Sequence, residues 1–255
     1  MRMSDRYRIP RRRVSFLFAL AALVAPLNCA RQTFGKGCVV LLFRGTGTSP
    51  NDVQAIESLL KSVGIHYSTI DAKQLRAATE SHLLECQLLI VPGGNYLHMA
   101  DGLSEDDISK IRIVVQRGLN YLGICAGAIL AGQNEGKCLN LTSGVKFGFY
   151  SDVNRNVHKN VVAIETANGE KLDQYWEDGP QLNGWGKVIS RYPDGSAATV
   201  QGKWGKGGVI LCGFHPEAPA SWRAGMTFTT SLAKSQSYAL TLIYALLNGN
   251  ELHHF

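Results

Sequence analysis

Four short runs of continuous apolar residues constrain this chain more than anything else in it: GCVVLLF at 37–43, QLLIVP at 87–92, LNYLGI at 119–124 and GVILCGF at 208–214. A run that does not alternate polar with apolar residues fits a strand covered on both faces, which is how strands of parallel sheets are buried. The stretches between the runs have the spacing of amphipathic helices. Ser49-Pro50 supplies an N-cap and a first-turn proline ahead of NDVQAIESLLKSVG, which closes at Gly64. Ser104 with Asp107 three positions later caps SEDDISKIRIVVQRG, which closes at Gly118. HYSTID reads as a further strand, AGAILAG as the start of a helix, and residues 232–248 as a closing helix. Strand–helix alternation of this kind builds a mostly parallel sheet with helices on both faces.

Residues 134–205 break the alternation. VVAIET, KVISRY and AATVQGKW are strand-like and carry turn signals such as Asp194-Gly195, so a β-rich insertion is expected there. With 255 residues, 45% of them hydrophobic, the chain has material for one well-buried core. A single domain is expected over about residues 36–250, with no internal repeat.

The formal charge of +6 is misleading until it is located. Residues 1–30 hold six Arg and one Asp, leaving 20 basic and 19 acidic groups in residues 31–255. A nearly neutral body has no basic stripe for a phosphate backbone, so nucleic acid is not an expected partner. The leader itself, MRMSDRYRIPRRR followed by apolar Val14–Ala25, has the basic and apolar regions of an export signal. Arg11-Arg12-Arg13 gives it a twin-arginine character. A cleaved signal peptide and a periplasmic or secreted protein are expected. The alternatives are a retained N-terminal anchor, the only membrane attachment the sequence offers, and a mitochondrial presequence.

Six cysteines stand at 29, 38, 86, 125, 138 and 212 without zinc-type spacing, so no metal is expected. Cys38, Cys86 and Cys212 read as small core residues in or beside apolar strands. Cys125 differs. It is the centre of Gly123-Ile124-Cys125-Ala126-Gly127, a G-x-C-x-G between a strand and a helix, which is the cysteine form of a nucleophile elbow. A sharp turn there holds the thiol at a helix N-terminus, where the peptide dipoles favour thiolate. The second motif is His215-Pro216-Glu217, directly after GVILCGF. In extended chain residues i and i+2 face the same way, so Glu217 reaches the His215 imidazole, and Pro216 stiffens that geometry. His215 then serves as base and acid, and Glu217 orients it. The loop Phe43–Ser49 (FRGTGTS) lacks a P-loop lysine and the third glycine of a dinucleotide site. It reads as a tight loop at the site.

GICAGA with a late HPE resembles the class I glutamine amidotransferase-like superfamily with its Cys-His-Glu triad. VPGGNY at 91–96, GLNYLGICAGAILAG at 118–132, YWEDGP at 175–180 and GFHPE together resemble one branch, the biotin-protein ligase N-terminal domain family. The expected fold is accordingly α/β: a flavodoxin-like, doubly wound, mostly parallel sheet with a β-rich insertion. The resemblance implies Cys125 as nucleophile, His215 as base and Glu217 as orienting acid. It also implies an oxyanion hole at the glycine turn after the third strand, for which the N–H groups of Gly93, Gly94 and Ala126 are the natural donors. Asn95, Tyr96, Asp178 and Gly179 are then expected to border the substrate.

Two departures shape the functional expectation. Where glutamine amidotransferases carry Gln four residues after the nucleophile, this chain has Ile129, which argues against glutaminase activity. Biotin ligation by these 255 residues alone is not expected either, because the ligase domain of that family is a separate unit. What remains is an exported cysteine-dependent amide or ester hydrolase, or an amidotransferase-like protein, acting on a small or peptide-like substrate without a cofactor. The alternatives are a non-catalytic binding module on the same fold and a redox or carbonyl-scavenging thiol protein.

Overall fold

The apolar runs become adjacent strands of one sheet. The computed structural model describes residues 37–134, 136–152 and 155–255, so the leader expectation falls outside the described residues. β1 (Val40–Phe43) leads through α1 (Pro50–Ser62) to β2 (Tyr67–Ile70). Two short helices, α2 (Ala72–Ala77) and α3 (Glu80–Leu83), precede β3 (Leu88–Val91). Next come α4 (Tyr96–Gly102), α5 (Glu105–Arg117), β4 (Asn120–Ile124) and α6 (Ala126–Ala131). The β-rich segment supplies β5 (Lys159–Thr166), β6 (Lys171–Glu177), β7 (Lys187–Arg191) and β8 (Ala197–Trp204). β9 (Gly207–Cys212) and α7 (Leu232–Asn248) finish the chain.

The nine strands lie in the order β2-β1-β3-β4-β9-β8-β7-β5-β6. The β2-to-β9 half is parallel throughout, and the remainder is antiparallel, so the sheet is mixed. The β-rich segment is thus an extension of the same sheet. β8 and β9 pair from Trp204↔Gly207 outward, and that hairpin grafts the antiparallel strands onto the parallel edge. Register shifts between β7 and β8 bend the extension. An isolated bridge, Tyr175↔His215, then returns the far strand to the chain leaving β9.

Alternation across the pleat explains the two-sided core. Leu41, Phe43, Leu89 and Val91 face a cluster that includes Met99, Ile108, Ile111 and Val115 of α4 and α5. Val40, Leu42, Leu88 and Ile90 face the opposite cluster, which includes Ile56 and Leu60 of α1 and Leu242 and Ile243 of α7. The caps follow the sequence closely. Ser49 accepts from Asp52 N, Ser104 and Asp107 form a capping box, and Ser231 caps α7, which ends at left-handed Gly249 (φ 66°). Periodicity does not reveal α2, α3, α4 or β6. The three helices have four to seven residues, too few for a helical period to show.

Candidate active site

In a parallel sheet every strand points its C-terminal end the same way, and loops from several strands converge there. β1 delivers the 44–49 loop and the start of α1, β3 delivers Gly93 and Gly94, β4 leads into Cys125, and β9 leads to His215. Ile124 and Cys212 are register partners, so Cys125 and His215 leave neighbouring strands side by side.

Cys125 has φ 49° and ψ −110°, a strained backbone for a residue with a side chain. Its N–H donates to Cys212 O at 2.8 Å and its carbonyl accepts from Ala128 and Ile129 N, which holds the turn in place. The flanking glycines are there for close approach. A Cβ on Gly123 would lie 2.6 Å from Gly127 O, and one on Gly127 would lie 2.1 Å from Val91 O. The G-x-C-x-G spacing is therefore the spacing at which the β4–α6 turn packs onto its own next turn and onto β3.

His215 Nδ1 lies 3.0 Å from Glu217 Oε1 and 3.2 Å from Asp52 Oδ1. All three side chains are buried. Nδ1 has one proton to donate, and Glu217 is the nearer acceptor. Asp52 Oδ1 and Glu217 Oε2 are left without hydrogen bonds. Burial alone would lower the His215 pKa, but Cys125, Glu217 and Asp52 around it outweigh burial and hold it well above the ordinary imidazole range. Burial pushes the Glu217 carboxyl up, against the pull of His215. For Asp52 burial again acts upward, and the charge of the His215 imidazole 3.2 Å away, helped by contacts near the helix start, overcomes it, so the net shift is downward. With Nδ1 facing the carboxylates, Nε2 is the nitrogen left for Cys125, whose contact helps raise the imidazole pKa. The Cys125 thiol itself lies 3.5 Å from Glu177 O.

The structure thus brings Cys125, His215 and Glu217 together and adds Asp52, a first-turn residue of α1 that no sequence motif singles out. The clue was present: an acidic residue beside the N-cap of the helix that follows the FRGTGTS loop. Gly93 sits against this group, where a Cβ would meet Asp52 Oδ1 at 2.2 Å and His215 Cε1 at 2.7 Å. Donor atoms of Asp52, His215 and Glu217 all lie within 4.8 Å of one another, a spacing that could hold a metal ion. A cation there would need the Nδ1 lone pair, which the imidazole cannot offer while Nδ1–H bonds to Glu217.

The group opens into a cavity of about 740 Å³. Gly94, Asn95, Tyr96, Cys125, Ala126, Asp178 and His215 line it; Gly93 and Gly179 are not among its lining residues. Neither Gly94 nor Ala126 gives its N–H to a backbone partner among the described residues. Asn95 caps α4 by accepting from His98 N at 3.1 Å. Asp178, at φ 43°, is paired with His158 Nδ1 at 2.7 Å. Gly179 acts behind the wall, where a Cβ would come within 1.8 Å of Gly213 O. The 44–49 loop is tied down through Ser49 N to Gly93 O and Asn95 N to Gly47 O.

β6 and the segment after β9 together supply an aromatic wall. Tyr175, His215 and Trp222 pack ring against ring, with centroids 5.4–5.8 Å apart. Tyr175 Oη donates to Glu177 at 2.5 Å, and Lys159 Nζ lies 3.7 Å from the same carboxylate. Ile129 lines the cavity at its predicted place beyond Cys125, together with Phe149, Leu97 and Met226.

Residues 38–157 match the family model described as biotin-protein ligase, N terminal. The biotin–protein ligase of Schizosaccharomyces pombe is 29% identical over 213 residues, a match covering 71% of this chain and 33% of the relative. The chain thus spans about a third of the length of that curated relative. A solved glutamine amidotransferase superposes with a TM-score of 0.58 at 22% identity, covering 83% of this chain and 99% of the other. A chain of the PurLQS structure from Thermotoga maritima gives 0.55 at 16% identity, over 82% and 99%. At these identities the likeness to the solved structures is one of fold.

Proposed function

We propose, for a chain whose residues 38–157 match the biotin-protein ligase N-terminal family model and whose fold is amidotransferase-like, that it is a cysteine-dependent amide or ester hydrolase or acyl-transfer protein. The observation that carries this reading is Cys125 on its strained elbow, facing an imidazole held by buried carboxylates and opening into one cavity. The finer topology, a flavodoxin-like doubly wound core, is supported by the parallel order β2-β1-β3-β4-β9 with helices over both faces.

The chemistry follows from the placement. The Cys125 thiolate attacks the carbonyl carbon, and the negative charge moves to the carbonyl oxygen. The N–H groups of Gly94 and Ala126 are the donors placed to receive that oxygen. The intermediate collapses when His215 gives its Nε2 proton to the leaving amine or alkoxide, which departs and leaves a thioester on Cys125. His215 then takes a proton from water, or from an acceptor amine or alcohol, as that nucleophile attacks the thioester and Cys125 is released. Glu217 and Asp52 stabilise the imidazolium at both stages. Ile129 offers no donor or acceptor to a glutamine amide, which favours substrates other than glutamine. A cavity of about 740 Å³ suits a small or peptide-like substrate. Nucleic acid does not enter the proposal, because the body of the chain is nearly neutral.

The test is intact-mass measurement after brief incubation with an activated ester or thioester. A fast acyl adduct that maps to the Cys125 peptide is expected, decaying when the reagent is removed, and Cys125→Ala should lose that fast phase. Equal acylation of the Cys125→Ala protein would refute the reading. Stoichiometric, reversible ligand uptake without an adduct would favour the binding-module alternative.

Export through the 1–30 leader belongs to the same proposal, motivated by its basic and apolar regions. Mass spectrometry of the natively expressed protein is expected to find an N-terminus beyond residue 20 in the exported fraction. An intact Met1 in the membrane fraction would instead establish an anchor.

A further inference from the structure

Cys38 and Cys86 stand just ahead of β1 and β3, two strands that are parallel neighbours with Val40 opposite Leu88. Counting two residues back in each strand brings the cysteines level. Gln87 N and Leu88 N both donate to Val39 O, at 2.9 and 3.2 Å, which holds the two lead-in segments together at that point. Cys86 belongs to the core cluster that contains Leu41 and Leu89, and Cys38 packs on the same cluster, so both side chains face the same side of the sheet. Both thiols are free. Paired strands run about 4.8 Å apart, within the Cα separation a disulfide spans.

The pair is asymmetric. Cys38 is half-buried and Cys86 is buried. The neighbouring Cys86 thiol, with smaller contributions from Ser68 and Val40, outweighs burial and lowers the Cys38 thiol to about 7. The Cys86 thiol is pushed up by Cys38 beside it and by burial. An accessible thiol that ionises near neutrality beside a buried protonated one is the division of labour of an attacking and a resolving cysteine.

We propose that Cys38 and Cys86 are a dithiol site that closes to a disulfide by exchange with a small-molecule disulfide of the glutathione type. The Cys38 thiolate attacks one sulfur of the reagent, forming a mixed disulfide and expelling the first thiolate, which takes up a proton. Cys86 then loses its proton and attacks Cys38 Sγ, expelling the second reagent thiolate. Two protein thiols are oxidised and one reagent disulfide is reduced to two thiols. The bond ties β1 to β3 at the end of the sheet opposite Cys125, so it stiffens the scaffold and leaves the cavity unchanged.

The test treats the full chain with oxidised glutathione near pH 8, then quenches with alkylating agent and maps peptides without reduction. The expected product is one peptide pair linked through Cys38 and Cys86, two thiols fewer on titration in denaturant, and a Tm higher by about 10 °C. The Cys125 acylation rate should be unchanged. Cys86→Ala should trap the mixed disulfide on Cys38, and Cys38→Ala should leave Cys86 unreactive. If Cys86→Ala does not fold, the half-buried Cys38→Ala still decides the matter. A stable glutathione adduct on Cys38 with Cys86 fully alkylated in the parent protein would overturn the proposal, as would five or more of the full chain's six thiols surviving in every molecule.

Discussion

Replacing His215 by alanine is expected to slow acylation of Cys125 by about 100-fold or more, because the thiol loses both its cationic neighbour and its proton carrier. The deficit should be greatest below about pH 8, where an unassisted thiol is mostly protonated, and should narrow as pH rises. The sign follows from the imidazole. Its raised pKa keeps it charged beyond the range of a free histidine, so the parent retains a cation beside Cys125 at neutral pH and the variant has none. Glu217→Gln should cost less than His215→Ala, since the imidazole stays in place but loses a charged acceptor on Nδ1. Asp52→Asn should be the mildest of the three, because Asp52 is the more distant carboxylate, at 3.2 Å against 3.0 Å. Rates of ester-probe labelling against pH, measured on the parent and the three variants, check the ordering. Superimposable profiles for parent and His215→Ala would mean that Cys125 is simply an exposed thiol.

Gly179→Ala is expected to destabilise the fold by about 3 kcal/mol or more, with a loss of roughly 6–12 °C in Tm. The new Cβ would stand 1.8 Å from Gly213 O and 2.9 Å from Trp176 Nε1, so main chain must move. Gly213 lies two residues before His215, so the displacement reaches the imidazole. Gly148→Ala is the control. Its Cβ would meet only the mobile end of Gln181, 3.2 Å away, and less than about 1 kcal/mol is expected. Urea unfolding of both variants distinguishes them; an unchanged midpoint for Gly179→Ala would show that the extension is not wedged under the site as described.

Much of this is legible in the residues. Apolar runs buried on both faces gave the parallel strands β1, β3, β4 and β9. Ser49-Pro50, Ser104 with Asp107, and Gly118 gave helix limits within a residue or two. Those signals are local: a cap or a buried strand is written in the residues that form it. The pairing of His215 with Glu217 is local in the same way, because an i, i+2 spacing in extended chain is itself a geometry.

What the sequence does not contain is the meeting of distant segments. Cys38 reads as a core strand residue, whereas in the fold it lies half-exposed beside Cys86. Asp52 carries no sequence motif, and it acquires its role only because β1 and β9 deliver α1 and His215 to the same sheet edge. Tyr175 and Trp222 become a wall of the cavity only when the antiparallel extension curls back and Tyr175 O accepts from His215 N at 2.8 Å. The sequence alone determined the strands, the elbow and the His-Pro-Glu turn, since each depends on neighbours a few positions away. Tertiary structure alone decided the second carboxylate, the aromatic wall and the dithiol pair, since each depends on which strand lies beside which, and strand order is fixed by packing of the whole sheet rather than by any one segment.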